Sequence, residues 1–196
     1  MGYGVIPIHE VKQSLQDLHK VLTDNAAEVD VLLSSVPSVL SSGVSAEDKY
    51  ARLNCIVDDL YAILKPHIAC ADGCSHCCNM AVPIGCAEAT AIAKAYDMKL
   101  AYPPPMTDKD TNIHKYRLVP CVFLMVGKCS VYEHRPAACR SYFNVSKFSA
   151  LCDMVNNPES DVPALDLSEL TYAYAQVEFE RYGTLYYADI REWFSS

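Results

Sequence analysis

The 196-residue sequence lacks the segments that place a protein in a membrane or export it. No apolar run approaches the roughly 18 residues that a membrane-spanning helix needs. The first ten residues have no basic stretch followed by an apolar one, so they do not resemble a secretory signal peptide. The sequence therefore predicts a cytoplasmic protein that does not associate with membranes.

Basic residues are also scarce. Sixteen Lys and Arg stand against 24 Asp and Glu, which gives a formal net charge of −8 at pH 7. Non-specific binding to nucleic acid depends on basic side chains that neutralise phosphates. Because this surplus is missing, the composition argues against nucleic acid as a partner.

Cysteine is the residue type that the sequence has in excess. Ten are present in a chain that is 51% hydrophobic and long enough to build a core without disulfides. In the cytoplasm thiols stay reduced, and clustered cysteines more often bind metal than form bridges. We therefore interpret the clustered cysteines as metal ligands.

Seven of the ten cysteines form two arrays, one of four within nine residues and one of three at wider steps. The first array is Cys70, Cys74, Cys77 and Cys78, and the second is Cys121, Cys129 and Cys139. A soft metal or an iron–sulfur cluster needs about four thiolates that converge in space. Adjacent side chains point to different sides of a regular backbone. One of Cys77 and Cys78 is therefore expected to bind the local metal, and the other to point to a second site, to the second array or into the core. Two metals, or spare and redox-active thiols, both remain open.

The spacing of the second array bears on which metal is bound. Zinc sites usually pair two short C-x2-C knuckles, whereas these cysteines are eight and ten residues apart. An iron–sulfur cluster is therefore favoured as the cofactor, with 4Fe–4S as one candidate, and zinc is the alternative. Four histidines near the arrays are candidate supplementary ligands, although a surface or supporting role is favoured for each. These are His67, His76, His114 and His134.

Apolar periodicity predicts a mostly helical chain. The predicted helices cover residues 9–36 with a break near Asn25, 46–65 behind the cap Ser45, 86–96, and 166–182, with one more short helix over 185–194. Residues 38–45 are predicted to form a loop, and a short hairpin is predicted around Gly127. Cys55 is expected to be a buried structural thiol. The role of Cys86 is left open.

The predicted fold class is therefore mostly α with a small α+β cysteine-rich metal-binding core that contains the hairpin. Residues 1–66 form an N-terminal helical segment, 67–145 the cysteine-rich core and 146–196 a C-terminal helical segment. The three segments are expected to pack as one compact domain.

The arrays and their surroundings resemble the CxxCxxCC family, known as zinc- or iron-chelating proteins and often described as containing an iron–sulfur cluster. The family's cysteine cluster ending in Cys-Cys, with an extended Val-Pro-Val segment behind it, is matched by residues 74–78 and 82–84. Its later block, C-x-F-L and then G-x-C-x-I-Y-E-x-R-P-x-x-C-R, is matched by residues 121–124 and 127–140.

The resemblance implies a metal role for all seven array cysteines: Cys70, Cys74, Cys77, Cys78, Cys121, Cys129 and Cys139. Arg135 and Arg140 bracket Cys139 and are candidate cofactor-binding residues, which would offset thiolate charge or orient an anionic substrate. The alternative is that both arginines form surface charges or structural ion pairs.

These observations support three functions. The first is a metal-binding protein that holds an iron–sulfur cluster, or zinc, for redox chemistry, sensing or metal handling. The second is an S-adenosylmethionine-dependent lysine N-methyltransferase-like enzyme with an iron–sulfur cluster, to which the family resemblance extends, although no glycine-rich nucleotide loop is present. The third is a structural zinc module for partner binding. The partner, a protein or a small molecule, and any enzymatic activity are left open.

Overall fold

Helices dominate the structure, a computed structural model that describes residues 6–104, 114–155 and 162–194. Within these residues the α-helices are α1 (Ile8–Asp24), α2 (Ala26–Ser34), α3 (Val36–Ser41), α4 (Ala46–Leu64), α5 (Cys86–Tyr96), α6 (Ala137–Arg140), α7 (Ser168–Tyr182) and α8 (Ile190–Trp193). The strands are β1 (Pro83–Gly85), β2 (Leu124–Met125), β3 (Lys128–Cys129) and β4 (Tyr187–Asp189). The predicted fold class, mostly α with a small α+β core, is confirmed.

The N-terminal helices follow their local signals, with one exception. The Ser45 hydroxyl accepts a hydrogen bond from the backbone N–H of Asp48 and caps α4, as predicted. The break near Asn25 is also confirmed, since it separates α1 from α2. The helix predicted over residues 9–36 was expected to stop before Pro37 and the loop to begin at residue 38. Both expectations are wrong, because α3 runs over Val36–Ser41 with Pro37 in its first turn, where the missing N–H costs nothing.

A long-range strand pair replaces part of the short helix predicted over residues 185–194. Strand β4 pairs antiparallel with β1, with Ile84 opposite Ala188. Both side chains are fully buried, and only the single turn α8 follows β4. The pairing joins positions about a hundred residues apart, so local periodicity could not reveal it.

The predicted hairpin is confirmed, with Met125 of β2 opposite Lys128 of β3. The two residues between them, Val126 and Gly127, both have positive φ, at 48° and 76°. Positive φ at both central positions is the signature of a type I′ turn, which matches the twist of the flanking strands.

Two hydrophobic clusters form the core. The first lies between α4 and α7, where Leu53, Leu60 and Val177 are almost completely buried. The second surrounds the strand pair and is centred on Trp193, whose indole N–H donates to the carbonyl of Ile84 at 3.2 Å. Cysteines of the second array pack against this second cluster. No helix within the described residues is long and apolar enough to cross a membrane. The predicted segment boundaries stay a prediction.

Candidate metal centre

The first array follows a tight, irregular path between α4 and β1. Gly73 adopts φ +88°, in the region that glycine enters without strain, and the N–H of Cys74 donates to the carbonyl of Ala71 at 3.0 Å. Cys77 and Cys78 then lie in a single 3₁₀ turn over residues His76–Asn79. These turns place the four cysteines close together without a regular helix or strand.

The second array is carried by three different elements. Cys121 precedes the hairpin, Cys129 ends β3, and Cys139 lies in the single-turn helix α6. The backbone joins this array directly to the first, because the N–H of Cys121 donates to the carbonyl of Cys78 at 2.7 Å. The two arrays therefore lie side by side.

All seven array cysteines line one cavity of about 70 Å³. The structure thus brings together every residue for which the sequence predicted a metal role, although ligation itself stays a prediction. Within the described part of the chain, no three Cys, His, Asp or Glu side chains already stand close enough to hold one metal ion. The candidate centre is a thiol-lined space, with sulfurs spread around its wall.

None of the three cysteines outside the arrays lines the cavity, and two of them, Cys86 and Cys55, have sequence predictions to compare. Cys86 is buried at the start of α5, within the second hydrophobic cluster. Cys55 is exposed on α4, so the prediction that it is a buried structural thiol is wrong. Its neighbours Leu53 and Ile56 face the core, and a step of about 100° per residue turns Cys55 away from them.

The four histidines also lie outside the wall of the cavity. His114 and His134 are exposed, and His67 and His76 are half-buried. His134 instead packs edge-on against the ring of Tyr96. The placement agrees with surface or supporting roles.

Backbone N–H groups point at several of the sulfurs. At three cysteines the donor is the residue two positions later; these pairs are His76 with Cys74, Phe123 with Cys121, and Val131 with Cys129. The N–H of Asn144 donates to the Cys70 sulfur at 3.3 Å. Each bond favours the thiolate and lowers the pKa of its cysteine, and such bonds orient and tune sulfur ligands in metal sites.

Burial acts in the opposite direction on most of these thiols. It is the largest cause that raises the pKa of Cys70, Cys74, Cys121 and Cys129, and it raises the pKa of Cys139 well above the ordinary value. Without metal, these sulfurs would therefore hold their protons at neutral pH. Because ligation requires thiolates, metal binding here would release protons.

Cys77 differs from the other thiols. A hydrogen bond from the Cys78 side chain is the largest cause that lowers the pKa of Cys77, to about 7, and the positive charge of Arg135 acts in the same direction. The same bond raises the pKa of Cys78. Charge on Cys77 also raises the pKa of Cys129 and Cys139, so Cys77 interacts electrostatically with the second array.

Arg135 and Arg140 both line the cavity, but their surroundings differ. Nη1 of Arg140 donates to both carboxylate oxygens of Asp58, at 2.5 and 2.6 Å, and Nη2 donates to the carbonyl of Glu133. The structural ion pair considered from the sequence is therefore present at Arg140.

The guanidinium of Arg135 lies 4.3 Å from the ring centre of Tyr132 and 5.6 Å from that of Tyr61. Its Nε atom is buried without a hydrogen-bond partner within the described structure, as is that of Arg140, but Arg135 has no carboxylate partner among the described residues. Its positive charge lowers the pKa of three array cysteines, Cys70, Cys77 and Cys129. Of the two arginines, Arg135 is therefore the one available to a negatively charged group in the cavity.

Sequence reasoning missed the aromatic part of the wall and one further thiol. Tyr61, Tyr142 and Phe143 line the cavity beside the cysteines. Cys152 is buried nearby, and its sulfur accepts a hydrogen bond from Nδ2 of Asn144 at 3.3 Å. Cys152 follows the last array cysteine by thirteen residues, and no short spacing marked it.

A cavity walled by thiols, with N–H donors aimed at the sulfurs and a guanidinium at its edge, is typical of a metal-binding site with soft ligands. Comparison with known families agrees with this class: residues 69–160 match the CxxCxxCC family, described as "Putative zinc- or iron-chelating domain". The match spans a little under half of the chain, contains all seven array cysteines, and confirms the resemblance drawn from the motifs. No curated protein and no solved structure matches the chain.

Proposed function

We propose that the chain holds an iron–sulfur cluster between its two cysteine arrays and uses it in redox chemistry, sensing or metal handling. The observation that carries the proposal is the cavity of about 70 Å³ lined by all seven array cysteines. When bound, such a cluster supplies one-electron chemistry.

The size of the cavity favours a cluster over a single zinc ion. A structural zinc site is closed, with four ligands at about 2.3 Å for sulfur, and leaves no free space among them. A cavity needs only about 10–15 Å³ to hold one water molecule, so this one has room for several atoms. Seven thiols exceed the four that either one zinc ion or one cluster takes, so it is the free space, and not the number of thiols, that favours a cluster of several atoms.

The charge of the site is also suited to a thiolate-bound cluster. Thiolates would bring several negative charges into a partly buried space, which is costly unless they are compensated. Arg135 contributes a guanidinium without a carboxylate partner among the described residues, and its Nε is free to donate. The N–H groups two residues after Cys74, Cys121 and Cys129 would stabilise charge on those sulfurs.

The test is metal analysis of anaerobically purified protein. We expect iron and acid-labile sulfide together, with visible absorbance at about 400 nm that bleaches on reduction with dithionite. A colourless protein with stoichiometric zinc and no sulfide would overturn the cluster and favour the structural zinc module instead. Protein with neither metal would overturn both.

A further inference from the structure

Arg191 is a buried cation that lies outside both cysteine arrays and outside the family match. It follows β4 in the C-terminal segment, and its side chain is only 6% exposed. A buried guanidinium needs partners for its five N–H donors. Those partners are found in the backbone that flanks the two cysteine arrays.

The guanidinium binds carbonyl groups from both sides of the metal centre. On the side of the first array, Nη2 donates to the carbonyl of Met80 at 2.9 Å and approaches that of Cys78 at 3.4 Å. On the side of the second array, Nη2 donates to the carbonyl of Val119 at 2.6 Å, and Nε donates to that of Pro120 at 3.2 Å. One side chain therefore links the end of the first array to the residues just before Cys121.

Asp189 fixes the orientation of this guanidinium. The Asp189 carboxylate is fully buried; its Oδ1 accepts from Nη1 of Arg191 at 2.8 Å and from the Arg191 backbone N–H at 2.9 Å. Its other oxygen accepts from the N–H of Val82 at 2.7 Å, and Val82 lies between the first array and β1. The ring of Tyr116 covers the guanidinium at 5.2 Å.

We infer that Arg191, oriented by Asp189, is a positioning residue for the metal centre: it holds the backbone of Cys78 against that of Cys121 and so sets how far apart the two arrays stand. The inference deepens the proposed function, on which the metal readouts rest, while the backbone contact can be tested by itself. The carbonyls that converge here carry partial negative charge and would repel one another without the cation between them. The positive charge of Arg191 also acts on Cys121 directly: it lowers the pKa of the Cys121 thiol, although burial raises that pKa by more.

Only arginine has the geometry for this contact. Its planar fork donates from several nitrogens in fixed directions, whereas lysine offers one compact charge with three donors. A lysine at this position could bind the carbonyls beside one array, or Asp189. It could not bind the carbonyls beside both arrays and the carboxylate together.

The first test measures the backbone contact between the two arrays, and it does not depend on metal content. Amide hydrogen exchange is followed in the protein as purified, at Cys121, whose N–H bonds to the carbonyl of Cys78, and at Leu118, whose N–H bonds to the carbonyl of Asn79. We expect exchange at both amides to become at least about 10-fold faster in Arg191→Lys and in Asp189→Asn. Asp189→Asn keeps Arg191 and decides the question if Arg191→Lys does not fold.

Lys49→Met is the matched control. Lys49 is also a buried cation, and its Nζ joins the carbonyl of Leu40 to the Glu180 carboxylate; neither Lys49 nor Glu180 lines the cavity between the arrays. This variant should lose stability while exchange at Cys121 and Leu118 stays within about 2-fold of the parent. Equal acceleration in the control would reduce Arg191 to a general stabilising residue and overturn the inference.

The second test measures the centre itself. In Arg191→Lys we expect release of bound metal to a chelator to accelerate about 10-fold and the visible spectrum of the centre to change, whereas Lys49→Met should keep both. An unchanged spectrum and release rate would overturn the inference. If the parent protein holds no metal, the proposed function fails, and the exchange experiment still decides whether Arg191 positions the two arrays.

Discussion

The ion pair between Arg140 and Asp58 allows a quantitative test of how the cysteine-bearing helix α6 is held. Arg140 directly follows Cys139, and its side chain is 7% exposed, whereas that of Asp58 on α4 is 47% exposed. Replacing Asp58 with alanine leaves the buried guanidinium with the carbonyl of Glu133 as its remaining partner. The arginine cannot leave the core easily, so it must bear the cost of an uncompensated charge.

The magnitude follows from the exposure of the two partners. Breaking a buried ion pair costs about 3–5 kcal/mol, whereas exposed pairs contribute about 0–1 kcal/mol. Because Asp58 is half-exposed and water can partly replace it, we expect a loss of about 2 kcal/mol. In a chain of this length each kcal/mol lowers Tm by about 2–4 °C, so Tm should fall by about 4–8 °C.

Thermal unfolding of Asp58→Ala, followed by circular dichroism, tests this value. The neighbouring Asp59 is exposed on the same helix, and Asp59→Ala therefore makes the same change in helix propensity without touching Arg140. We expect the control to melt within about 1 °C of the parent. Equal melting temperatures for the two variants would refute the reasoning, and would mean that Arg140 does not depend on Asp58 in its buried position.

Three further outcomes are expected. Cys129→Ser should lose bound metal and have a lower melting temperature, because the site and the fold form together. The control Cys55→Ala should keep its metal and its melting temperature, so equal metal content in the two variants would contradict the ligand assignment. Gly85→Ala should lower the free energy of unfolding, measured with denaturant, by about 1–3 kcal/mol, because the added Cβ would lie 2.7 Å from Oε2 of the buried Glu178. In the control Gly43→Ala the added Cβ meets no atom within 4 Å and should cost nothing, so equal losses in the two variants would argue against the clash. Metal release to a chelator should accelerate as the pH falls from about 8 to about 6, because burial keeps the pKa of most array thiols high and protons compete with metal for the sulfurs. A release rate that does not change with pH would count against thiolate ligands.

Features that depend on neighbouring residues were predictable. The capping of α4 by Ser45 and the positive-φ turn at Gly127 both rest on interactions within four residues. Gly183 likewise ends α7 with φ 70°, and a glycine directly after a helical pattern is a common signal for a helix end. Pro37 was misread as a helix stop because a proline can also occupy the first turn of a new helix, where it breaks no hydrogen bond.

The candidate site was predictable in its donors but not in its walls. Clustering alone singled out cysteines such as Cys74 and Cys77, because four reduced thiols within nine residues most often serve to bind metal. The aromatic wall around Tyr142 and the nearby thiol of Cys152 carry no comparable spacing signal. Side chains that meet only through tertiary packing leave no periodic trace in the chain.

The sequence by itself determined which atoms are offered to a metal: two arrays of thiols, with arginines beside the last one. Only the tertiary structure decided that both arrays face one cavity, that Arg140 is paired while Arg135 is free to face the thiols, and that Arg191 joins the arrays from the far end of the chain. The physical reason is range. Capping and turn preferences act over a few residues, whereas strand pairing and buried charges connect positions a hundred residues apart, and their energies exist only once the chain has folded.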